Sequence, residues 1–205
     1  MASVNLKNKE ILVKIVYYGP DRSGKTANLE YIYNKYKHRM NTGKVMVRTL
    51  GDKTLCLDFL PLDVGKIRDY DARIQFYTVP GDANHNATRR LVLKGADGIV
   101  FVADSMAVRR TKNILSFRDL RKNLAVHKKD ISKIPLVLQY NKRDLKEQGI
   151  PLLSVETLEK DLNNEIEAPS FEASALTGAS VITIMKKIIS LTLSTVQKEM
   201  EWSNG

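Results

Sequence analysis

The stretch from Gly19 to Thr26 constrains the fold of this chain more than any other feature. It reads Gly-Pro-Asp-Arg-Ser-Gly-Lys-Thr and fits the phosphate-binding pattern G-x-x-x-x-G-K-[ST] at every fixed position. The apolar run before it, 11–16, predicts a buried strand, and the residues after it, 27–36, carry apolar side chains at helical spacing. A strand, a glycine loop and a helix N-terminus together form an anion site, because backbone N–H groups and the helix dipole both face the phosphates.

This phosphate loop, residues 19–26, predicts specific contacts with a bound nucleotide. Lys25 is expected to reach the β- and γ-phosphates, and the Thr26 hydroxyl is expected to bind Mg²⁺. The other loop residues predicted to line the site are Gly19, Asp21, Arg22, Ser23, Gly24 and Ala27. A chance glycine-rich turn is the alternative interpretation, and the flanking strand and helix signals argue against it.

Strand and helix signals alternate along the rest of the chain. The predicted strands are 11–17, 44–49, 55–60, 73–79, 98–103, 135–140 and 170–173. The predicted helices run from the phosphate loop to about residue 38 and over 109–127, 155–164 and 180–200. This alternation predicts an α/β fold, a three-layer sandwich whose sheet is mostly parallel.

One part of the predicted sheet differs from the rest. The hairpin-like segment 63–69 joins the strands predicted at 55–60 and 73–79, so these two should pair antiparallel. A chain of 205 residues without a long linker predicts one domain over 1–205, with tails at about 1–9 and 201–205.

Composition and charge narrow the class of protein. The net charge of +10 suits an anionic ligand, or a face that meets an acidic partner, a membrane surface or nucleic acid. No aromatic-interleaved basic stripe is present, so nucleic-acid binding is not expected. The stretch 181–196 is interrupted by Lys186 and Lys187, which predicts an amphipathic helix and no direct membrane insertion. The single cysteine, Cys56, and the lack of a secretory signal predict a cytoplasmic protein.

A second motif, the guanine-side turn Asn141-Lys-Arg-Asp144, indicates which nucleotide binds. It follows a predicted buried strand and therefore lies on the ligand side of an open α/β sheet. The Asp144 carboxylate can accept from guanine N1–H and from the 2-amino group, whereas adenine would leave this charge unpaired. Asn141 is expected to reach N7, and the Lys142 stem to cover the base.

A third segment, residues 172–176, supports the guanine interpretation. It reads Glu-Ala-Ser-Ala-Leu and follows the last predicted strand. Backbone N–H groups near Ser174 and Ala175 are expected to bind guanine O6, with Leu176 beside them. Small residues after a strand are common, so this segment alone would not identify a nucleotide site.

With these three motifs in this order, the chain resembles the Ras-like small GTPases and, more closely, the bacterial MglA-type GTPases of cell polarity and gliding motility. The resemblance covers nearly the whole chain, including Lys14–Pro20, 57–62, Tyr77–Gly81 and Gly98–Ser105. Thr78 stands where most Ras-like proteins have the aspartate of D-x-x-G, which is typical of the MglA type. The resemblance implies a P-loop NTPase G domain that binds GTP or GDP with Mg²⁺.

The resemblance also implies roles for two switch segments and for partners. Thr54 would contact Mg²⁺ and the γ-phosphate, and the Gly81 N–H would contact the γ-phosphate and couple it to the second switch, residues 82–90. Nucleotide binding in the MglA type is accompanied by a register shift of the second strand, here 55–60. The implied partners are a roadblock-type GTPase-activating protein and polarity or motility effectors, which would recruit the protein to cell poles or to the inner membrane face.

Three residues near the γ-phosphate depart from the pattern that the resemblance implies. The family's hydrolytic members carry Gly at position 21, Arg at 53 and Gln at 82, whereas this chain has Asp21, Lys53 and Asp82. Asp21 adds bulk and negative charge, Lys53 lacks the bidentate fork of arginine, and an ionised Asp82 accepts hydrogen bonds but cannot donate them. Lys53 and Asp82 therefore occupy catalytic positions with atypical chemistry, and we expect slow hydrolysis with nucleotide binding retained.

Several alternatives stay open at this point. The three functions are a switch that hydrolyses GTP slowly, a nucleotide-locked scaffold with negligible turnover, and a P-loop kinase or ATPase. The guanine-side turn argues against the last. His85 or Asn84 can hold the attacking water, and a partner can supply an arginine. Lys53 can also neutralise either of the two aspartates.

Overall fold

The computed structural model describes residues 3–5, 8–37, 45–48, 56–67, 69–82 and 85–202. Its strands are β1 (Ser3–Asn5), β2 (Glu10–Tyr18), β3 (Val45–Arg48), β4 (Cys56–Ile67), β5 (Tyr70–Thr78), β6 (Gly98–Asp104), β7 (Leu136–Asn141) and β8 (Ser170–Glu172). Its α-helices are α1 (Lys25–Tyr36), α2 (Asn86–Leu93), α3 (Arg110–Val126), α4 (Val155–Leu162) and α5 (Val181–Trp202). Two 3₁₀ turns, Ala107–Arg109 and Arg143–Gln148, follow β6 and β7.

The strands form one eight-stranded sheet with the order β3-β4-β5-β2-β6-β7-β8, and β1 pairs with β2. The central strands β5, β2, β6, β7 and β8 are parallel to their neighbours in this run. The predicted mostly parallel sheet and the predicted antiparallel hairpin, β4–β5, are confirmed. The structure adds two antiparallel pairs, β3–β4 and β1–β2, and β1 lies within the predicted N-terminal tail.

The extent of the hairpin differs from the prediction. We expected the first strand to end before Pro61 and the second to start at Arg73, but β4 continues through Pro61 to Ile67 and β5 starts at Tyr70. Within β4, Pro61 lies opposite Gln75 of β5, and its neighbours Leu60 and Leu62 lie opposite Phe76 and Ile74. A proline removes one N–H donor from the ladder but keeps its carbonyl, so pairing on either side continues the strand past it.

Both faces of the sheet are covered, which makes the fold three-layered. Along β2, Ile11, Val13, Ile15 and Tyr17 face α1 and α5, because strand side chains alternate between the two faces. The other face of the sheet packs against α2, α3 and α4. All seven residues of β6 are buried, as expected for a central strand covered on both sides.

Helices α1, α3, α4 and α5 agree with the predicted spans to within a few residues, whereas α2 was not predicted as a helix. Ser154 is the N-cap of α4, because its hydroxyl accepts a hydrogen bond from the Thr157 N–H at 3.2 Å and α4 begins directly after it. None of the helices in the described part of the chain is long and apolar enough to cross a membrane. The carboxyl ends of β2, β5, β6 and β7 lie at one edge of the sheet, and the candidate site forms there.

Candidate functional site

The phosphate loop connects β2 to α1 and packs against the guanine-side turn. Gly24 is the N-cap of α1 and has a φ of 99°, which favours glycine. A Cβ atom at this position would lie 2.2 Å from Asn141 Nδ2. Gly24 therefore permits both the turn of the loop and the close approach of a second motif.

Lys25 lies in the first turn of α1, and its side chain reaches back across the phosphate loop. Its side chain is buried, and its Nζ donates to the backbone carbonyls of Gly19 at 3.0 Å and Pro20 at 2.6 Å. Burial is the main cause that lowers the pKa of Lys25 to about 7, and the nearby Arg89 guanidinium adds to this effect. Phosphate oxygens would act in the opposite direction, because negative charge favours the ammonium form.

The remaining loop residues lie where the sequence predicts. Ser23 is fully buried, Thr26 and Ala27 are half-buried in the first turn of α1, and Arg22 is exposed with a φ of 57°. In the described part of the chain, no group of three or more His, Cys, Asp or Glu side chains could hold a metal ion. The half-buried Thr26 hydroxyl lies in the first turn of α1 and fits a single oxygen ligand to Mg²⁺, which usually keeps several waters and phosphate oxygens as its other ligands.

Asn141 links three segments of the site. Its buried Nδ2 donates to the Ser23 carbonyl at 2.7 Å, and its Oδ1 accepts from the Ala175 N–H at 2.8 Å. Gln139 Nε2, from β7, also donates to Asn141 Oδ1 at 3.3 Å. This bridging role was missed from the sequence, which suggested only a contact with guanine N7, and the N7 contact stays a prediction.

The 172–176 segment lies against the guanine-side turn, and the backbone N–H groups of Ser174 and Ala175 already have partners. The Ser174 N–H donates to the Ala179 carbonyl at 3.1 Å, and the Ala175 N–H donates to Asn141. A contact with guanine O6 therefore requires one of these N–H groups to be shared. Leu176 is largely exposed at the rim of the site.

The rest of the guanine-side turn is fixed through its neighbours. Lys142 has a left-handed backbone, with a φ of 70°, and its Nζ donates to Asp104 Oδ2 at 2.7 Å. The Arg143 N–H donates to the Ala173 carbonyl at 3.1 Å, which fastens the turn to the 172–176 segment. Asp144 is half-buried in the first turn of the 3₁₀ helix that follows.

On the γ-phosphate side, Asp21 is paired with α3 and the turn before it. Arg109 Nη2 lies 3.0 Å from Asp21 Oδ1 and also donates to the Asp21 carbonyl, and Lys112 Nζ lies 3.3 Å from Asp21 Oδ1. Burial alone would raise the pKa of Asp21, but the Arg109 and Lys112 charges outweigh it and lower that pKa. The sequence suggested Lys53 as a neutralising partner, whereas the structure gives Asp21 two other cations.

The start of the second switch packs directly on the phosphate loop. A Cβ atom on Gly81 would lie 2.3 Å from the Asp21 Cα and N atoms, so only glycine fits here. Asp82 is exposed, and its carbonyl accepts from the His85 N–H at 3.2 Å. Both ring nitrogens of His85 are buried, and neither has a hydrogen-bond partner in the described part of the chain. Lys53, Thr54 and Asn84 lie outside the described residues.

Arg89 connects the second switch to α3, and the sequence placed it only within the switch range. Its buried side chain forms an ion pair with Asp119 and lies 3.4 Å from the Tyr18 hydroxyl and 3.4 Å from the Gly81 carbonyl. A polar stretch with two adjacent arginines gave no signal that one of them is buried. A cleft of about 720 Å³ beside this pair is lined in part by Asp21, Gly81, Asp82, Arg89, Lys112 and Asp119.

Two comparisons with known proteins match nearly the whole chain. The sequence model of the ADP-ribosylation factor family matches residues 1–192. The mutual gliding-motility protein MglA of Myxococcus xanthus (strain DK1622) is 44% identical to this chain over 198 residues, which cover 97% of this chain and 99% of that protein. Both matches therefore include the phosphate loop, the second switch and the guanine-side turn.

Proposed function

This chain belongs to the ADP-ribosylation factor family of Ras-like small GTPases, and from that premise we propose that it is a guanine-nucleotide switch of the MglA type. The switch binds GTP or GDP with Mg²⁺ and presents different surfaces to partners in the two states. The observation that carries this proposal is the bridge made by Asn141. Its hydrogen bonds of 2.7 Å and 2.8 Å join the phosphate loop to the 172–176 segment, so phosphate and base sites form one unit.

In this proposal each motif holds one part of the nucleotide. Lys25 and the backbone N–H groups of the phosphate loop bind the phosphates, and Asp144 selects guanine through its two ring donors. Thr26 and, from the resemblance, Thr54 would hold Mg²⁺, which when bound neutralises phosphate charge. Gly81 lies against Asp21 and is well placed to transmit a change at the γ-phosphate to α2.

Hydrolysis by this protein is proposed to be slow. An ionised Asp82 cannot both donate to and accept from an attacking water, and Lys53 cannot supply a planar bidentate contact. An arginine finger alone contributes about 10³- to 10⁵-fold in rate, so its replacement by lysine leaves a large deficit. The second candidate is a nucleotide-locked scaffold with negligible turnover, which the pairing of Asp21 with two cations near the loop also favours.

The similarity to MglA supports a proposal about partners and location. We propose that a roadblock-type GTPase-activating protein acts on this switch and that its effectors belong to polarity or gliding-motility systems. The protein would then act in the cytoplasm, with recruitment to cell poles or the inner membrane face by those partners. A partner-supplied arginine would provide the planar bidentate contact that a lysine lacks.

Nucleotide analysis of the purified protein tests the proposal. We expect bound GTP or GDP, competition by guanine but not adenine nucleotides, and dependence of affinity on Mg²⁺. Single-turnover hydrolysis should be slow and should accelerate with an activator, whereas no turnover under any condition would favour the scaffold. Tight ATP binding or an empty site that accepts no guanine nucleotide would contradict the proposed function.

A further inference from the structure

We propose that Asp104 and Arg109 are positioning residues that couple the phosphate loop to the guanine-side turn. They form an ionic chain, Asp21–Arg109–Asp104–Lys142, which runs between two motifs far apart in sequence. The inference rests on the proposed function, because it assigns to these residues control over how long guanine nucleotide stays bound. Neither residue belongs to a nucleotide-binding motif.

Asp104 is the rigid centre of this chain. It ends β6, its side chain is fully buried, and Lys142 Nζ donates to its Oδ2 at 2.7 Å. The Met106 N–H donates to its Oδ1 at 3.1 Å. The Asn113 side chain, from α3, accepts from the Asp104 N–H at 2.9 Å and donates to the Asp104 carbonyl at 2.8 Å. A buried carboxylate is stable only when paired, so this geometry requires the neighbouring cations.

Arg109 extends the chain from Asp104 to the phosphate loop. Its guanidinium lies between two carboxylates, with Nε 3.5 Å from Asp104 Oδ2 and Nη2 3.0 Å from Asp21 Oδ1. Its side chain is only 13% exposed, compared with 54% for Lys112, the second cation near Asp21. A planar fork can face two anions at once, so Arg109 suits a bridging position better than a lysine would.

Lys142 is the last residue of the ionic chain, at the guanine-side turn. Its left-handed backbone, with a φ of 70°, is unfavourable for a residue with a Cβ atom. The ion pair with Asp104 therefore helps to hold the turn in this conformation and fixes the stem that is expected to cover the base. Because Asp104 also meets Arg109, a displacement of the phosphate loop at Asp21 reaches Lys142 through charged contacts.

The dissociation rate of a fluorescent GDP analogue, chased with excess GDP at fixed Mg²⁺, tests the chain. Asp104→Asn keeps the shape and the acceptor for Met106 but removes the charge, and should speed dissociation about 10- to 100-fold. Arg109→Gln should speed dissociation about 3- to 10-fold. Arg109→Lys keeps the charge and should therefore bring the rate part of the way back to the wild-type value. The matched control is Arg110→Gln, the next residue along the chain. It breaks the ion pair of the half-exposed Arg110 at the start of α3 with Asp161 of α4, 2.7 Å apart, and should leave the rate unchanged.

Coupling across the chain separates positioning from general destabilisation. Asp21 and Lys142 are at opposite ends, so Asp21→Asn and Lys142→Met should multiply in rate if they act independently. We expect the double variant to fall short of that product by about threefold or more. Multiplicative effects, or an unchanged rate in both Asp104→Asn and Arg109→Gln, would overturn the inference while wild-type GDP binding upholds the proposed function. A wild-type protein that binds no guanine nucleotide would overturn both.

Discussion

The guanine side of the site and its γ-phosphate side differ in how their functional residues are held and in how far they keep the pattern of the family. On the guanine side, Asn141 is buried and its amide contacts both the phosphate loop and the 172–176 segment. On the γ-phosphate side, Asp82 is exposed, and the 37% exposed Asp21 side chain is paired with Arg109 and Lys112 of a neighbouring segment.

If the chain is the switch proposed above, the difference reflects the separate demands that nucleotide binding and hydrolysis place on one fold. Binding needs groups that stay fixed in a dry setting, because an unpaired polar group there is costly. Hydrolysis needs a donor and acceptor at the attacking water and a cation at the developing charge, and Asp82 and Lys53 supply these poorly. A chain that keeps the residues for nucleotide binding and changes those for hydrolysis is expected to retain its nucleotide for long periods.

Asp144→Asn should have the largest effect on nucleotide affinity, because it changes the residue that is expected to recognise guanine on the side that keeps the family pattern. The asparagine amide presents a donor to the guanine 2-amino group, and mismatched buried polar groups typically discriminate by about 10⁴-fold. We expect GDP affinity to fall about 10³-fold or more, with xanthosine diphosphate favoured because its C2 carbonyl accepts from the new amide. Competition binding measures both effects.

The control for this change lies on the same turn. Glu147 is exposed, so Glu147→Gln should leave GDP affinity within about twofold of wild type, as is usual for surface substitutions. Guanine selectivity that survives Asp144→Asn would mean that the guanine side does not read the base through this carboxylate.

Asp82→Gln should restore part of the expected hydrolytic function on the γ-phosphate side, which would make the two sides of the site more alike. Glutamine adds a methylene and a donor, so it can orient an attacking water, and positioned groups of this kind contribute about 10²-fold or more when geometry is complete. We expect about a tenfold faster single-turnover hydrolysis, with GDP affinity unchanged, because Lys53 still lacks the arginine geometry.

Two further variants define what that result means. Asp82→Asn supplies the donor without the length and should give a smaller gain. Asp21→Gly combined with Asp82→Gln removes the charge beside the loop and should exceed Asp82→Gln alone. A rate that none of these variants raises would show that hydrolysis is limited elsewhere.

The guanine side and the central sheet could be predicted from sequence because their signals are local. The strand, glycine loop and helix over 11–36 form one continuous pattern, and β6 is recognisable as a run of apolar residues. The guanine-side turn follows a buried strand in the same way. Each of these features depends on neighbours within a few residues, so periodicity and turn chemistry are sufficient to indicate them.

What could not be predicted depends on which segments meet in space. Pro61 reads as a strand end, but β4 continues past it because Leu60 and Leu62 pair with Phe76 and Ile74 of β5, and no local pattern contains this pairing. Asp21 and Arg109 are 88 residues apart, and their contact follows from where α3 begins relative to the loop. The burial of Asp104 and Arg89 likewise results from packing of distant elements, and their charges alone would suggest exposed positions.

Asp21→Asn should give the smallest effect and tests whether the γ-phosphate side is held by α3 as the structure indicates. The Arg109 and Lys112 charges lower the pKa of Asp21 below its usual 3.8 despite partial burial, so the charged carboxylate stabilises the fold. This contribution is present above the unfolded-state pKa and is lost as pH falls through the lower folded-state pKa. We therefore expect wild type to be more stable than Asp21→Asn at pH 6, and the difference to shrink as pH falls below 3.8 and then through the lower folded-state pKa. Because Asp21 is 37% exposed, the difference should stay below about 1 kcal/mol.

Urea denaturation at several pH values measures this difference, with Asp69→Asn as the control on the exposed β4–β5 turn. The results at pH 3 and at pH 6 test different causes of the stability difference. A wild-type advantage that persists unchanged at pH 3 would assign the effect to packing, since the carboxylate is then largely protonated in the unfolded state. If Asp21→Asn is instead the more stable protein at pH 6, electrostatic repulsion of Asp21 within the phosphate loop outweighs its pairing with Arg109 and Lys112. The γ-phosphate side would then differ from the guanine side in carrying an unfavourable charge at Asp21.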